Sequence, residues 1–357
     1  MQVSSRVGQL ISVLHVIGSP VDDFHAELSR LYAGACLDAL ADDPRYEHHL
    51  AYVTPGGSWR FPSDLGADAL AAAEPMAPSD AIAHIEHLDV DVAVPQMFCL
   101  PGMTAYRSLF DVLGIPYVGN PPAVMANAAD KSVTRAIVAA AGVVVPEGEV
   151  VWTEEGTRLP LPVVVKPVDG DNSVGVTLVR EPRQYALAVR VALAHGAAAL
   201  VETYVPLGRE VRCGIVVRDG ELICLPLEEY AVDPVSNPIR NREDKLDRTD
   251  GGELYLVAKD PQRAWLVPED DPITEAVWEA ARRCHRALGC RHYSLFDFRI
   301  DPDGRPWFLE AGPYCSYAPT SVIAVMAAAR GIDVAELFAT AVRELDLEGA
   351  RCSLSSL

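Results

Sequence analysis

Asp297 and Glu310 lie thirteen positions apart in SLFDFRIDPDGRPWFLEAG (294–312), on two strand-like segments joined by Asp301-Pro302-Asp303-Gly304. Proline fixes φ and glycine supplies a positive φ, so the tetrapeptide is strong turn chemistry. Side chains alternate along a strand, which puts Leu295, Asp297 and Arg299 on one side. Closing the hairpin brings Asp297 and Glu310 towards one point. Two carboxylates there repel each other unless a cation sits between them, and hard oxygen ligands suit Mg²⁺. The same two residues also read as ordinary surface acids on a hairpin.

A second stretch, VVVKPVDGDNSVGV (163–176), ends a buried strand on Lys166 and follows it with Gly170, Asn172, Ser173 and Gly175. The strand mouth fixes the ammonium, and the small residues let backbone N–H groups approach an anion closely. The lysine precedes the glycines, so this is not the G-x-x-x-x-G-K-[ST] loop. It fits a flap closing over nucleotide phosphates, or more plainly a strand and a polar turn. Three further stretches extend the set: ADKSVTR with Lys131 at a helix start, VETYVPLGREVR with Glu202, Val205 and Glu210, and NREDKLDR with Lys245. Together they supply apolar walls for a base, an acid for ribose, cations for phosphates and carboxylates for Mg²⁺.

These residues need elements to position them. Up to about residue 118 strand and helix signals alternate: Ile11–Ile17 as a buried strand, Ala26–Ala41 as a helix, a helix capped by Ser79, a strand at Asp91–Pro95, a helix closed by Gly114, and a strand at Ile115–Val118. Alternation of this kind predicts an open parallel sheet. No G-x-G-x-x-G follows the first strand, so dinucleotide binding has no support. After the connector Asn120-Pro121-Pro122, one Ala-rich helix is expected from Ala128 to Ala141, stopped by Gly142. Strands at Glu147–Trp152 and Pro162–Lys166, a helix from Pro182 and a strand at Ala199–Val205 follow. Hairpins then dominate until a helix opened by Asp271-Pro272 and ended at Gly289. A last helix is expected over Val334–Leu345.

The 357 residues suffice for two or three domains, and a half-hydrophobic composition predicts globular cores. Thirty basic against fifty acidic residues give a net charge of −20, which opposes nucleic acid or an anionic membrane as partner. No apolar run approaches spanning length, and Leu10–Ile17 reads as a core strand rather than a signal peptide. Eight scattered cysteines with no C-x-x-C pair predict reduced thiols and a cytoplasmic protein. His48-His49 reads as a solvated loop pair. His285 and His292, flanking Cys290, match no zinc spacing and read as packing residues.

The linear order of these motifs, from about Asn120 to Leu345, resembles the ATP-grasp ligases, close to the D-alanine–D-alanine ligase branch. The resemblance implies α/β and α+β architecture: a Rossmann-like pre-ATP-grasp domain (1–121), a central ATP-grasp lobe with the phosphate flap (122–203) and a C-terminal lobe with the metal hairpin (204–357). ATP and Mg²⁺ are the implied cofactors. Carried over by motif, Lys131 and Lys166 would bind the α- and β-phosphates under a flap at Asn172, Ser173 and Gly175. Glu202, Tyr204 and Val205 would line the adenine pocket and Glu210 would hold the ribose. Lys245 would reach the γ-phosphate, and Asp297 and Glu310 would ligate Mg²⁺. Lys245, Arg299 and Ser173 are the implied catalytic residues, and a homodimer is the implied assembly.

Three positions depart from dipeptide ligases. Leu295 stands where they carry an oxyanion-donating Arg, Gly312 where they carry an Asn that completes the Mg²⁺ shell, and PQMFCLPGMTAYR where they carry an H-G-x-x-G-E-D-G signature. Loss of an oxyanion donor costs about 10²–10³ in rate, so Arg299, or Arg212, is the expected substitute. PQMFCLPGMTAYRSLFDVLGIPYVGN, LPLEEYAVDPVSNPIRNREDKL, SPVDDF and WRFPS resemble a narrower group: the ligase-like enzymes of mycosporine-like amino acid biosynthesis. Those use ATP to condense mycosporine-glycine with the amine of an amino acid such as Ser or Thr. The resemblance implies small-molecule substrates drawn to Met97–Met103, Glu228–Tyr230, Arg240 and Tyr314–Ser321, with Cys315 nearby. A dipeptide ligase and a non-catalytic ATP-binding module are the alternatives.

Overall fold

The computed structural model describes residues 10–170, 173–233, 238–239, 247–248, 254–255, 262–314 and 316–354. The chain opens with β1 (Ile11–Gly18), α1 (Asp23–Leu40), β2 (Tyr46–Val53), β3 (Trp59–Arg60), α2 (Ala67–Ala72), α3 (Pro78–His87), β4 (Val92–Pro95), α4 (Leu100–Met103) and α5 (Ala105–Leu113). They form a sheet of order β3-β2-β1-β4, parallel except for the β2–β3 edge. The helix expected from a Ser79 cap begins instead at Pro78, which suits the first helical position, where no N–H is needed. Ile115–Val118 contributes only an isolated bridge, Ala93 to Tyr117, because the chain turns away at Gly119 (φ +101°). His48-His49 lies inside β2 rather than in a loop: His15 Nε2 and His48 Nδ1 are 2.9 Å apart, and the Gln96 amide donates to His15 Nδ1 at 2.9 Å. That chain of polar groups is what a buried histidine on a central strand requires.

The helix expected over Ala128–Ala141 is α7 (Lys131–Ala140), and a separate helix, α6 (Pro122–Ala129), precedes it. Asp130, in extended conformation between them, accepts from the backbone N–H of Ser132 and Val133 and so caps α7. Apolar periodicity runs through both, but the cap wins at Asp130. The chain continues through β5 (Gly148–Val151), β6 (Val163–Pro167), β7 (Thr177–Val179), α8 (Pro182–Leu193) and β8 (Ala199–Thr203), a four-stranded antiparallel sheet of order β5-β8-β6-β7. It buries its own core against α8 through Val163, Val165, Val179, Tyr185, Val189 and Val201.

Next come β9 (Arg209–Arg218), β10 (Glu221–Cys224), β11 (Glu228–Tyr230), β12 (Asp247–Arg248), β13 (Leu254–Tyr255), β14 (Ala264–Leu266), α9 (Thr274–Leu288), β15 (Tyr293–Ile300), β16 (Pro306–Ala311), α10 (Val322–Ala328) and α11 (Val334–Leu354). Pro272 lies outside α9, which is preceded by Ile273. The six-stranded sheet runs β14-β11-β9-β15-β16, with β10 paired to β9. Its core is shared with the first sheet: Val13, Val92, Val216, Tyr293, Leu295 and Phe338 belong to one apolar cluster. Fully buried Asn120 adds to this junction, donating to the carbonyls of Tyr293 (2.9 Å) and Pro313 (2.6 Å) and accepting from Arg291 N–H (2.6 Å). The expected divisions at 121/122 and 203/204 fall at the start of α6 and the end of β8.

Candidate active site

The hairpin β15–β16 pairs Asp297 directly with Glu310, and a bulge follows between Asp297 and Phe298. Both carboxylates line one cavity of about 110 Å³, together with Lys131, Lys166, Ser173, Glu202, Val205, Glu210 and Arg299. The antiparallel sheet β5-β8-β6-β7 contributes Lys166 and Glu202, β9 contributes Glu210, and the start of α7 contributes Lys131. Residues from four parts of the sequence thus converge at one place. Gly175 sits between Val174 and Val176, which line the cavity; its φ of +75° and its packing on Pro167 leave no room for a Cβ. Tyr204 faces a neighbouring groove with Val143–Glu147, Arg305 and Trp307. Asn172, Lys245, Arg240 and Cys315 lie outside the described residues.

Each acid of the cavity meets a cation. Lys166 Nζ lies 2.6 Å from Glu202 Oε2, and Arg135 Nε approaches Glu202 Oε1 at 3.4 Å. Lys131 Nζ is 3.0 Å from Glu310 and also donates to the Gly170 carbonyl, while its own backbone N–H reaches Val168 O at 2.7 Å. Arg212 grips Asp297 through Nε and Nη2, the latter at 2.7 Å from Oδ2. Burial of Arg212 works against its charge, but Asp297, Tyr230 and Glu228 together outweigh that and hold its pKa well above the ordinary value.

Arg299, expected among the catalytic residues, is held by its neighbours. Its Nη2 donates to Glu210 and to Pro238 O, both at 2.8 Å, its Nη1 reaches Val205 O at 3.3 Å, and the guanidinium lies 5.5 Å from the Tyr204 ring centre. Through these bonds the arginine braces Glu210 and the chain around Val205, while its buried Nε has no partner among the described residues and the side chain lines the cavity. Arg212, the second of the two expected substitutes, is the arginine that contacts Asp297. Period-two alternation in GREVRC already puts it on the same strand face as Glu210.

The donor set fits Mg²⁺. Among the described residues no cluster of three or more His, Cys, Asp or Glu could hold a metal, and the cavity offers the hard carboxylates of Asp297 and Glu310. A small cation that keeps water and phosphate oxygens in its shell needs no more. No helix among the described residues is long and apolar enough to cross a membrane.

The family model "D-ala D-ala ligase C-terminus" matches residues 144–343. A D-alanine–D-alanine ligase of Mycolicibacterium gilvum is 30% identical over 355 residues, covering 88% of this chain and 92% of the relative. One from Synechococcus is 31% identical over 261 residues, covering 70% and 75%. In fold the chain is similar to the VanG D-Ala:D-Ser ligase of Enterococcus faecalis, with TM-score 0.76 at 21% identity over 94% of this chain and all of that one. It is also similar to the Bacillus anthracis D-alanine–D-alanine ligase complexed with ATP, with TM-score 0.67 at 19% identity over 96% and 99%.

Proposed function

The chain belongs to the D-alanine–D-alanine ligase family of ATP-grasp enzymes, ADP-forming carbon–nitrogen ligases that use ATP and Mg²⁺, and from that premise we propose that it joins the amine of an amino acid to a phosphorylated small-molecule oxygen. The observation that carries this reading is the convergence of Lys131, Lys166, Glu210, Asp297 and Glu310 on one cavity. The first substrate's oxygen attacks the γ-phosphorus of ATP and ADP leaves; the amine then attacks the activated carbon, and phosphate departs with its electron pair. Catalysis of such a transfer is positioning plus charge stabilisation. Lys131 and Lys166 bind phosphate oxygens, exchanging Glu310 and Glu202 for the nucleotide. Glu210, held by Arg299, receives the ribose hydroxyls, and Ser173 lies on the loop that covers the phosphates. Asp297 and Glu310 would hold Mg²⁺, which supplies charge neutralisation between the phosphates when bound. Lys245 takes the γ-phosphate by resemblance alone.

The curated relatives support two plain amino acids, D-alanine among them, as substrates. Leu295 favours a second reading. It is buried in the apolar cluster with Tyr293 and Tyr317 and offers no donor to an acyl oxyanion. Mycosporine-glycine carries an enaminone, whose ring oxygen is nucleophilic like that of a carboxylate. After its phosphorylation and attack by an amine, positive charge spreads over an N–C–C–C–N system and no acyl oxyanion forms. ADP release with Mg²⁺ and ATP tests both readings, with D-alanine alone or with mycosporine-glycine plus serine. Turnover with D-alanine alone establishes the dipeptide ligase. Turnover only with the second pair, with an ultraviolet shift to longer wavelength, establishes the imino-mycosporine ligase. ADP release with neither pair removes both substrate assignments.

A further inference from the structure

Arg212 lies at the centre of three neighbouring strands. It is register-paired with Asp297 on β15 and with Glu228 on β11. Only about an eighth of its side chain is exposed, and its guanidinium lies 5.6 Å from the Tyr230 ring centre. Tyr230 in turn donates its hydroxyl to Glu228. Asp297 lines the nucleotide cavity and Arg212 does not, so the arginine grips that carboxylate from outside the cavity.

A guanidinium is a planar fork with two edges that can each bind a carboxylate through a pair of hydrogen bonds. Asp297 takes the Nε/Nη2 edge of Arg212. Among the described residues nothing accepts from Nη1, and that atom is not one of the sealed polar atoms lacking a partner. The Nη1/Nη2 edge thus has no acceptor among the described residues and is already immobilised by the bond to Asp297. Glu228 brings a negative charge to the same arginine from the other side. A cationic fork and an acid on adjacent strands match a zwitterion with a carboxylate and an ammonium close together. That is the chemistry of a free amino acid.

We propose that Arg212 determines specificity for the amino-acid substrate: its second edge binds the α-carboxylate while its first holds Asp297, with Glu228 facing the amino group. The inference rests on the ligase reading and deepens it. One side chain then ties the amine-donating substrate to the metal-side carboxylate of the cavity.

The test is steady-state ADP release by the full chain with Mg²⁺ and ATP, comparing wild type, Arg212→Met and Arg212→Lys. The varied substrate is D-alanine alone, or serine against mycosporine-glycine. Losing a charge-assisted bidentate contact raises KM for the amino acid by about 30-fold or more, with KM for ATP within about twofold of wild type. Arg212→Lys restores part of the loss. D-Alaninamide and serinamide, which lack the carboxylate, respond little to the substitution. A rise in KM for ATP, or in the Mg²⁺ requirement, with an unchanged amino-acid KM would overturn the proposal and leave Arg212 as an aligner of Asp297. Equal losses for acid and amide would do the same. Wild type that releases no ADP with either pair sinks the substrate assignments, a separate failure. Calorimetric binding of D-alanine and serine to enzyme loaded with Mg²⁺ and a non-hydrolysable ATP analogue then decides. Weaker binding by Arg212→Met supports the proposal, and equal or absent binding in both proteins overturns it.

Discussion

Glu202 holds Lys166 across neighbouring antiparallel strands, Oε2 to Nζ at 2.6 Å, with both side chains at least nine-tenths withdrawn from solvent. The acid expected to line an adenine pocket is thus the partner that fixes the lysine proposed to bind phosphate. Lys166→Ala removes the cation proposed to face the nucleotide phosphates and is expected to lower ADP release by about 10²–10³. Arg135 remains beside Glu202, so stability falls by less than the roughly 3–5 kcal/mol of a fully broken buried pair. Kinetics and urea unfolding on the same preparation separate the two effects.

Arg299→Met leaves buried Glu210 without its guanidinium and frees the chain near Val205. The expected phenotype is a rise in KM for ATP of about tenfold or more, with the amino-acid KM much less affected. Arg212→Met is expected to show the opposite pattern. An Arg299 variant that impaired only the amino-acid step would contradict its placement as a positioning residue for Glu210.

Gly312 directly follows β16, and its N–H donates to Leu295 O at 2.7 Å. A Cβ there meets only the Tyr314 ring and Leu295 O, at 3.7 Å or more, and φ is not positive. Gly312→Asn therefore fits without strain and adds a hard oxygen beside Asp297 and Glu310. The Mg²⁺ concentration for half-maximal ADP release is expected to drop several-fold, by about the 1 kcal/mol of a typical added polar contact. An unchanged Mg²⁺ titration would place the metal away from this end of the hairpin.

Three buried histidines set an acid limit. Burial lowers the pKa of His15 to about 3 and of His285 to about 4, and holds His292 well below its ordinary value. Unfolded histidine titrates near 6.5, so between that pH and the folded values the unfolded chain binds more protons and stability falls with pH. Each group contributes about 2 kcal/mol of loss by pH 5. The urea midpoint is expected to fall steeply from pH 7.5 to 5, and a His285→Asn variant to show a shallower slope. A flat profile would mean that these imidazoles accept protons in place.

Local chemistry made the hairpin legible: a Pro-Asp-Gly turn between two aromatic, β-branched runs admits little else, and the pairing of Asp297 with Glu310 follows from it. The glycine ends of α5 and α9 were legible for the same reason. The break at Asp130 was missed because alanine-rich turns on both sides share one periodicity, although an Asp before Lys-Ser is itself a cap signal. β2 was missed because its two histidines look solvated until His15, 33 positions away, supplies a partner. The grip of Arg212 on Asp297 spans 85 positions and needs three strands in register, which no local pattern encodes.

The shared core and the Asn120 bonds bind the first sheet to the β15–β16 hairpin, whereas the sheet β5-β8-β6-β7 has a core of its own against α8. The cavity between them, at about 110 Å³, is far smaller than the roughly 300–1,000 Å³ that encloses a drug-sized ligand. The neighbouring groove, about 680 Å³, shares Pro146, Thr203 and Val205 with this cavity, so the two together offer the volume that a nucleoside triphosphate needs. Lys131 ties Gly170 to Glu310, so a cation drawn to the Glu310 carboxylate would compete with that tie and loosen the loop from the hairpin.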